Sequence, residues 1–313
     1  MLKLTIVAPV FNEEQIIEQF YKRTRSVLNQ LQDTEASILF VVDRSTDKTL
    51  DILRKIAKED QQVQVISLSS RFGHQMSLMA GIEAAHDADA IVMMDSDLQH
   101  PPELIKTLLD KFHAGFEVVY TTRIDTKSVG LLRKKVGNLF YRFLINLSQI
   151  PIHANSADFR LISKRVGHIL SNDFRERNMF LRGLFSWMGF NQIGVPYVAE
   201  ARFAGYSKYS LPKMLQLAMS GIVSFSTKPL QLSIFMGIGF AALAFLMSIY
   251  CIIDYFIDKN IPSGWTTLSV LLLFFSGLQL IVLGIIGAYI GSIYEESKGR
   301  PRYIIDEIIN LKL

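Results

Sequence analysis

Short apolar runs alternate with longer amphipathic segments over about the first 125 residues of the chain. Thr5–Val10, Ile38–Val42, Val63–Leu68, Ala90–Met94 and Val118–Thr122 are rich in Val and Ile and predict strands. Between the first two, Ile17, Phe20, Val27, Leu28 and Leu31 recur on one helical face, with Asn12 positioned to cap that helix. Thr46-Asp47-Lys48-Thr49 opens a second helix running to about Glu59, and a small-residue helix through Ala85 follows Ser70-Arg71-Phe72-Gly73-His74-Gln75. Alternation of this kind predicts an α/β domain: a mostly parallel sheet with helices on both faces.

The second half is patterned differently. Apolar runs from about Leu230 to Ile253 and from about Leu268 to Ile293 are each long enough, at ~1.5 Å per residue, to cross a hydrocarbon core of roughly 30 Å. Lys228 precedes the first run, while Lys298, Arg300 and Arg302 follow the second. The loop between them, Asp254 to Thr267, carries one Lys and two Asp. The positive-inside rule then sets both chain ends in the cytoplasm, and the expected location is a multi-pass one in the plasma (inner) membrane. Leu132, Val136, Leu139, Phe140, Phe143, Leu144 and Leu147 make one further apolar face, and Leu211, Met214, Leu215, Ala218, Met219, Ile222 and Val223 make another. Each could lie on the bilayer or pack into a core. The expected division is a cytoplasmic domain over 1–228 with interfacial helices at about 130–148 and 210–226, a two-helix transmembrane region over 229–295, and a cytoplasmic tail over 296–313.

Composition agrees with a mixed design: of 313 residues 50% are apolar, high for a soluble protein and low for a bundle of membrane helices. The net charge of +4 is explained by Lys and Arg flanking membrane segments. No recognition helix or RNA-binding motif accompanies it, so nucleic acid is not an expected partner. Cys251 is the only cysteine and sits in an apolar run, which excludes disulfides and thiolate metal sites. Met1 to Val10 reads as a first strand rather than a signal peptide.

The chemistry concentrates in Met93-Met94-Asp95-Ser96-Asp97-Leu98-Gln99-His100-Pro101-Pro102, where an apolar strand ends in two carboxylates one residue apart. With a period of two, Asp95 and Asp97 would face the same side of an extended strand. Two hard oxygen ligands suit Mg²⁺ or Mn²⁺, which favour one or two carboxylates completed by substrate phosphates. Parallel sheets bind ligands at the carboxyl ends of their strands, where this motif falls. A second polar island, Asn155-Ser156-Ala157-Asp158-Phe159-Arg160-Leu161, carries one carboxylate; Asp158 either acts on substrate or pairs with a neighbour such as Arg160.

Val7-Ala8-Pro9-Val10-Phe11-Asn12-Glu13-Glu14, Val42-Asp43-Arg44-Ser45-Thr46-Asp47-Lys48-Thr49 and Asp95-Ser96-Asp97-Leu98-Gln99 resemble the ordered motifs of family-2 glycosyltransferases of the GT-A (Rossmann-like) fold. Within that family the chain is most similar to the polyprenyl-phosphate branch. The resemblance implies that Pro9, Phe11, Glu13, Asp43 and Asp95 bind the nucleotide sugar, and that Asp95, Asp97 and Gln99 hold the metal. It implies Asp158 and Asp97 as catalytic residues. For the acceptor phosphate it implies Arg123, Arg133, Lys134, Arg202, Ser207 and Lys208, the last three in a segment similar to the family's Arg-x-x-Gly-x-Ser-Lys-Tyr loop. The implied reaction is inverting transfer of a sugar, with UDP-glucose as the leading donor, to a polyprenyl phosphate such as undecaprenyl phosphate, by a membrane-bound homo-oligomer, a tetramer by resemblance. Galactose, N-acetylglucosamine, mannose or aminoarabinose donors, or a non-catalytic membrane scaffold, are the alternatives. The family's usual Asp-Asp-Gly-Ser is replaced here by Val42-Asp43-Arg44-Ser45, which loses one carboxylate and a glycine free to take positive φ.

Overall fold

The computed structural model describes residues 1–124, 156–177, 179–198, 227–257 and 264–311. In chain order the first half gives β1 (Leu2–Val10), α1 (Ile17–Leu28), β2 (Thr34–Val42), α2 (Thr49–Glu59), β3 (Val63–Leu68), α3 (His74–Ala84), β4 (Ala90–Met93), α4 (Leu104–His113) and β5 (Val118–Ile124). Then come β6 (Ser156–Ser163), α5 (Lys164–Asp173), α6 (Leu181–Met188), β7 (Gln192–Val198), α7 (Lys228–Ile257), α8 (Trp265–Ser297) and β8 (Ile305–Ile309). The described strands form one eight-stranded sheet in the order β7-β5-β6-β4-β1-β2-β3-β8. It is parallel between β4, β1, β2 and β3 and between β5 and β7, with β6 antiparallel to both its neighbours and β8 antiparallel to β3.

Helices cover both faces, as the alternation predicts. On one face Ile6, Ala8, Ile38, Phe40 and Val92 meet Ile17 and Phe20 of α1, Leu53 and Ile56 of α2, and Ile105 and Leu108 of α4 in a single buried core. Phe20 and Phe40 stand edge to face at 6.0 Å, and full burial of such a side chain contributes roughly 1.5–3 kcal/mol. On the other face α3 lies so close to β1 that a Cβ on Gly81 would stand 2.2 Å from Cγ1 of Val7. Helix α5 packs beside α3, and its Gly167 faces Ile91 and Ile82. The N-cap of α5 is Ser163, whose hydroxyl accepts from the Val166 amide.

Four local expectations change. Asn12 does not cap α1, which starts only at Ile17; it takes φ 54° and ties its side-chain carbonyl to the Thr46 amide at 2.8 Å. Thr24 rather than Val27 fills the buried face of α1. Strand β4 stops at Met93, so Asp95 and Asp97 lie in the loop beyond it and strand periodicity does not orient them. Residues 296–313, expected as a tail, contribute β8 to the sheet edge.

Helices α7 and α8 belong to a second compact unit. Lys228–Met247 and Phe274–Ser297 are long and apolar enough to cross a membrane, and almost none of either stretch is buried inside the protein. A core helix of a soluble domain would be mostly covered. Phe240 of α7 meets Phe274 and Phe275 of α8 edge-on, each at 5.9 Å. The expected interfacial helices at about 130–148 and 210–226 lie outside the described residues.

Candidate active site

Because β1 to β4 run parallel, their carboxyl ends open on one edge, and the loops that follow carry the polar motifs. Asp43, one residue past β2, is 5% exposed. Its two oxygens accept separately from the amides of Phe72, at 2.7 Å, and Gly73, at 3.0 Å. Gly73 has φ 91°, open to glycine, and so turns its amide toward the carboxylate at the start of α3. Beside it the guanidinium of Arg71 stacks over the Phe11 ring at 4.0 Å. The Glu13 amide donates to Oγ1 of Thr49 at 2.9 Å, and the Pro9 carbonyl accepts from the Ser96 hydroxyl at 3.1 Å. Arg44 takes φ 47°, the region the family's glycine would favour, and its Nη1 donates to the Ser69 carbonyl at 3.0 Å.

The register of β6 explains the second half of the cluster. Met93 pairs with Arg160 in antiparallel sense, so the chain before Arg160 runs on past Met93 and brings Asp158 to the side of Asp95. Arg182 of α6 grips Asp158 with both prongs, Nε to Oδ1 at 2.7 Å and Nη2 to Oδ2 at 2.8 Å. Burial alone would raise the Asp158 pKa, but the Arg182 charge and hydrogen bonds outweigh it and hold the carboxyl below its ordinary value. Next to this pair, Nε2 of His74 lies 2.7 Å from Oδ1 of Asp95. Burial disfavours the charged imidazole, yet the Asp95 carboxylate prevails and pushes the His74 pKa up to about 9. Asp95 is held well below the ordinary carboxylate range, since the His74 charge and hydrogen bond overcome its own desolvation. With 40% of the His74 side chain open to water, solvent screens this pair.

Four further groups frame the cluster: His100, Tyr197, Asp97 and Gln75. Nδ1 of His100 accepts from the Asp95 amide at 3.1 Å, and the His100 ring stacks on Phe159 at 5.2 Å. Tyr197, paired in register with Arg123 on β5, presents its ring edge to His100 at 5.9 Å. Burial pushes the Tyr197 hydroxyl up to about 12; the Arg123 and Arg182 charges work against that shift, while Asp95 and Asp97 add to it. Oδ1 of Asp97 accepts from the Gln99 amide at 3.1 Å across Leu98, which takes φ 59°. Gln75 bridges the starts of α3 and α6, its Oε1 accepting from the Leu181 amide at 3.0 Å.

Of the residues singled out in the sequence, Pro9 at the end of β1 and Phe11, Glu13 and Asp43 in the loops after β1 and β2 lie at the same carboxyl edge as Asp95, Asp97 and Asp158, while Arg123 is exposed on β5 in register with Tyr197. Arg133, Lys134, Arg202, Ser207 and Lys208 lie outside the described residues. Asp158 pairs with Arg182 rather than with Arg160. The Arg160 side chain instead stacks over the Phe185 ring at 4.4 Å, where burial lowers its pKa to about 10. His100 and Tyr197 carried no individual signal in the sequence. His100 follows shortly after the Asp-x-Asp motif, whereas Tyr197 becomes visible only through strand register.

Asp95, Asp97 and the side-chain carbonyl of Gln99 offer hard oxygen atoms, and the Asp95 carboxylate already attracts a ring nitrogen of His74. Among the described residues no three His, Cys, Asp or Glu side chains converge. A divalent cation would therefore draw the rest of its shell from substrate phosphates and water, which suits Mg²⁺ or Mn²⁺.

A mixed sheet whose carboxyl edge gathers this charge is a ligand-binding arrangement of α/β proteins, and comparison with known proteins identifies the family. Residues 5–168 match the family described as Glycosyl transferase family 2. The chain is 42% identical over 307 residues to the uncharacterized glycosyltransferase YkcC of Bacillus subtilis (strain 168), covering 98% of this chain and 94% of that one. It is 40% identical over 304 residues to the bactoprenol glucosyl transferase of Shigella phage SfV, with 97% and 98% covered. A prophage bactoprenol glucosyl transferase homolog of Escherichia coli (strain K12) is 38% identical over 307 residues, with 98% and 99% covered. The chain belongs to glycosyl transferase family 2.

Proposed function

We propose that the protein is a membrane-bound inverting glycosyltransferase that moves glucose from UDP-glucose to a polyprenyl phosphate such as undecaprenyl phosphate, giving a lipid-linked sugar for envelope glycosylation. The observation that carries this reading is the likeness, across nearly the whole length of both chains, to proteins named for glucosyl transfer to bactoprenol. Two apolar helices in the same chain fit a lipid acceptor; a water-soluble acceptor would not need them.

In this reading the Asp43 loop, with Pro9, Phe11 and Glu13, binds the nucleoside. Asp95, Asp97 and Gln99 would hold Mg²⁺ or Mn²⁺, which when bound neutralises charge on a leaving nucleoside diphosphate. The acceptor phosphate monoester has a second pKa near 6 and is largely dianionic at neutral pH, so it needs no general base. A carboxylate depressed by Arg182 is also a poor one. Asp158 therefore acts by holding Arg182 toward the reacting phosphates, and Arg123 adds a second cation. Arg133, Lys134, Arg202, Ser207 and Lys208 complete the acceptor phosphate site. The acceptor oxygen attacks the anomeric carbon opposite the departing diphosphate in one displacement, which inverts the configuration. The Lys and Arg that flank α7 and α8 orient both chain ends toward the cytoplasm, and the protein works as a homo-oligomer, a tetramer.

The test is a panel of radiolabelled nucleotide sugars offered to the purified protein with undecaprenyl phosphate. Label from UDP-glucose should enter the organic phase at least about tenfold faster than from UDP-galactose, UDP-N-acetylglucosamine or GDP-mannose. Preference for another donor would overturn the choice of sugar, and nucleotide binding without any lipid labelling would favour a scaffold.

A further inference from the structure

The sheet ends in a strand that follows the long apolar helix α8 in the chain, by way of the short link Lys298–Ile304. This C-terminal strap is fastened to the catalytic unit along its whole length. At its start Arg302 pairs with Glu83 of α3 and donates to the Phe174 carbonyl at 2.6 Å, and the Tyr303 hydroxyl donates to the other Glu83 oxygen. At its end the Asn310 amide donates to the Val63 carbonyl at 3.0 Å.

Ser69 is where the strap meets the site. The Ser69 amide donates to the Ile304 carbonyl at 2.9 Å, and the Ser69 carbonyl accepts from Arg44 at 3.0 Å. The same loop then runs on through Arg71, stacked over Phe11, to the two amides that hold Asp43. One short stretch of backbone is thus fixed by the strap at its first residue and grips the buried carboxylate at its last. Helix α3, which starts at the end of that stretch, is held by the strap a second time through Glu83.

We propose that residues 302–310 are a positioning element of the donor pocket: acting through Ser69 and Glu83, the strap sets the Ser69–Gly73 loop so that Phe72 and Gly73 orient Asp43 for the nucleotide. This rests on the reading of Asp43 as a nucleotide-binding residue. Supporting elements of this kind act on geometry, since small displacements of a binding group cost affinity without removing any contact atom. A strap that only covered the sheet edge would change stability and leave nucleotide affinity alone.

The experiment compares full-length variants for KM of UDP-glucose, KM of undecaprenyl phosphate, and equilibrium binding of UDP. Glu83→Gln combined with Tyr303→Phe should raise the UDP-glucose KM about 5- to 20-fold and weaken UDP binding in parallel, with kcat and the lipid KM within about twofold of the parent. Arg25→Gln is the control, because it breaks the Arg25–Asp60 pair at the amino-terminal edge of the sheet. It should lower the melting temperature and leave the UDP-glucose KM unchanged. Unaltered KM and UDP binding in the strap variant, or an equal rise in Arg25→Gln, would overturn the proposal. If the double variant fails to fold, Tyr303→Phe alone is scored by the same criteria. Asp43→Ala separates the two layers: if it leaves UDP binding intact the donor reading itself is wrong, whereas loss in Asp43→Ala with none in the strap variant rejects the strap alone.

Discussion

Arg182 and Asp158 form a bidentate pair, at 2.7 and 2.8 Å, between a helix and an antiparallel strand far apart in sequence. The planar fork fixes the carboxylate in two directions at once, which a lysine cannot do. Arg182→Lys should therefore keep the charge and lose the alignment, lowering kcat for lipid glucosylation about 10- to 100-fold with the UDP-glucose KM little changed. Removing the charge in Arg182→Met should also destabilise the fold by about 1–3 kcal/mol, less than for a fully buried pair because part of Arg182 remains in water. Steady-state kinetics and denaturant melts on the two variants check both.

Asp60 provides a pH test away from the site. Burial would raise its pKa, but Arg25, the Gln62 amide at 3.0 Å and the Tyr21 hydroxyl at 3.0 Å hold it below its ordinary value of 3.8. A depressed carboxylate stabilises the fold fully above its unfolded pKa, and that contribution disappears as pH falls through the folded value. Asp60→Asn should thus melt lower than the parent at pH 7, with the gap closing below about pH 4. A gap that stays constant down to pH 3 would contradict this role.

Gly81 marks the closest approach of α3 to the sheet. A β-carbon there would collide with Val7 at 2.2 Å, and a valine methyl inside a packed strand has no room to retreat. Gly81→Ala should cost about 1–3 kcal/mol in denaturant unfolding despite the better helix propensity of alanine. Because α3 also presents His74 to Asp95, transfer activity should fall together with stability.

Arg44 stands at φ 47° and donates to the Ser69 carbonyl. Alanine would keep the strained backbone and lose the hydrogen bond, while glycine would lose the bond and relieve the strain. Arg44→Gly should be about 1 kcal/mol more stable than Arg44→Ala in parallel chemical melts. Equal stability would mean that the backbone relaxes out of the left-handed region.

The five strands rich in Val and Ile were legible because continuous apolar runs become strands buried on both faces, and the first three helices were legible too, whereas the helix Leu104–His113 was not read from the sequence. Three strands were not. In β6 the polar residues Ser156, Asp158 and Arg160 mask a short buried run, and its strand character comes from pairing with β4 and β5. The edge strand β7 tolerates Gly194 and Pro196, both poor strand formers in a sheet interior. In β8 the charged tail composition concealed an alternation that matters only once β3 lies alongside. The site followed the same rule. Asp43, Asp95 and Asp97 announced themselves as motifs, whereas the partners of Asp158 and the location of Tyr197 depend on register and could be read only from the folded chain.

The most direct test of the central claim is transfer of labelled glucose from UDP-glucose into undecaprenyl phosphate by the full-length protein in lipid vesicles, compared between the parent and Asp97→Asn. Label should reach the organic phase with the parent and fall at least about a thousandfold with Asp97→Asn, while both proteins melt at the same temperature. Near-normal turnover by Asp97→Asn, or no labelled lipid from the parent with Mg²⁺ or Mn²⁺ supplied, would contradict it.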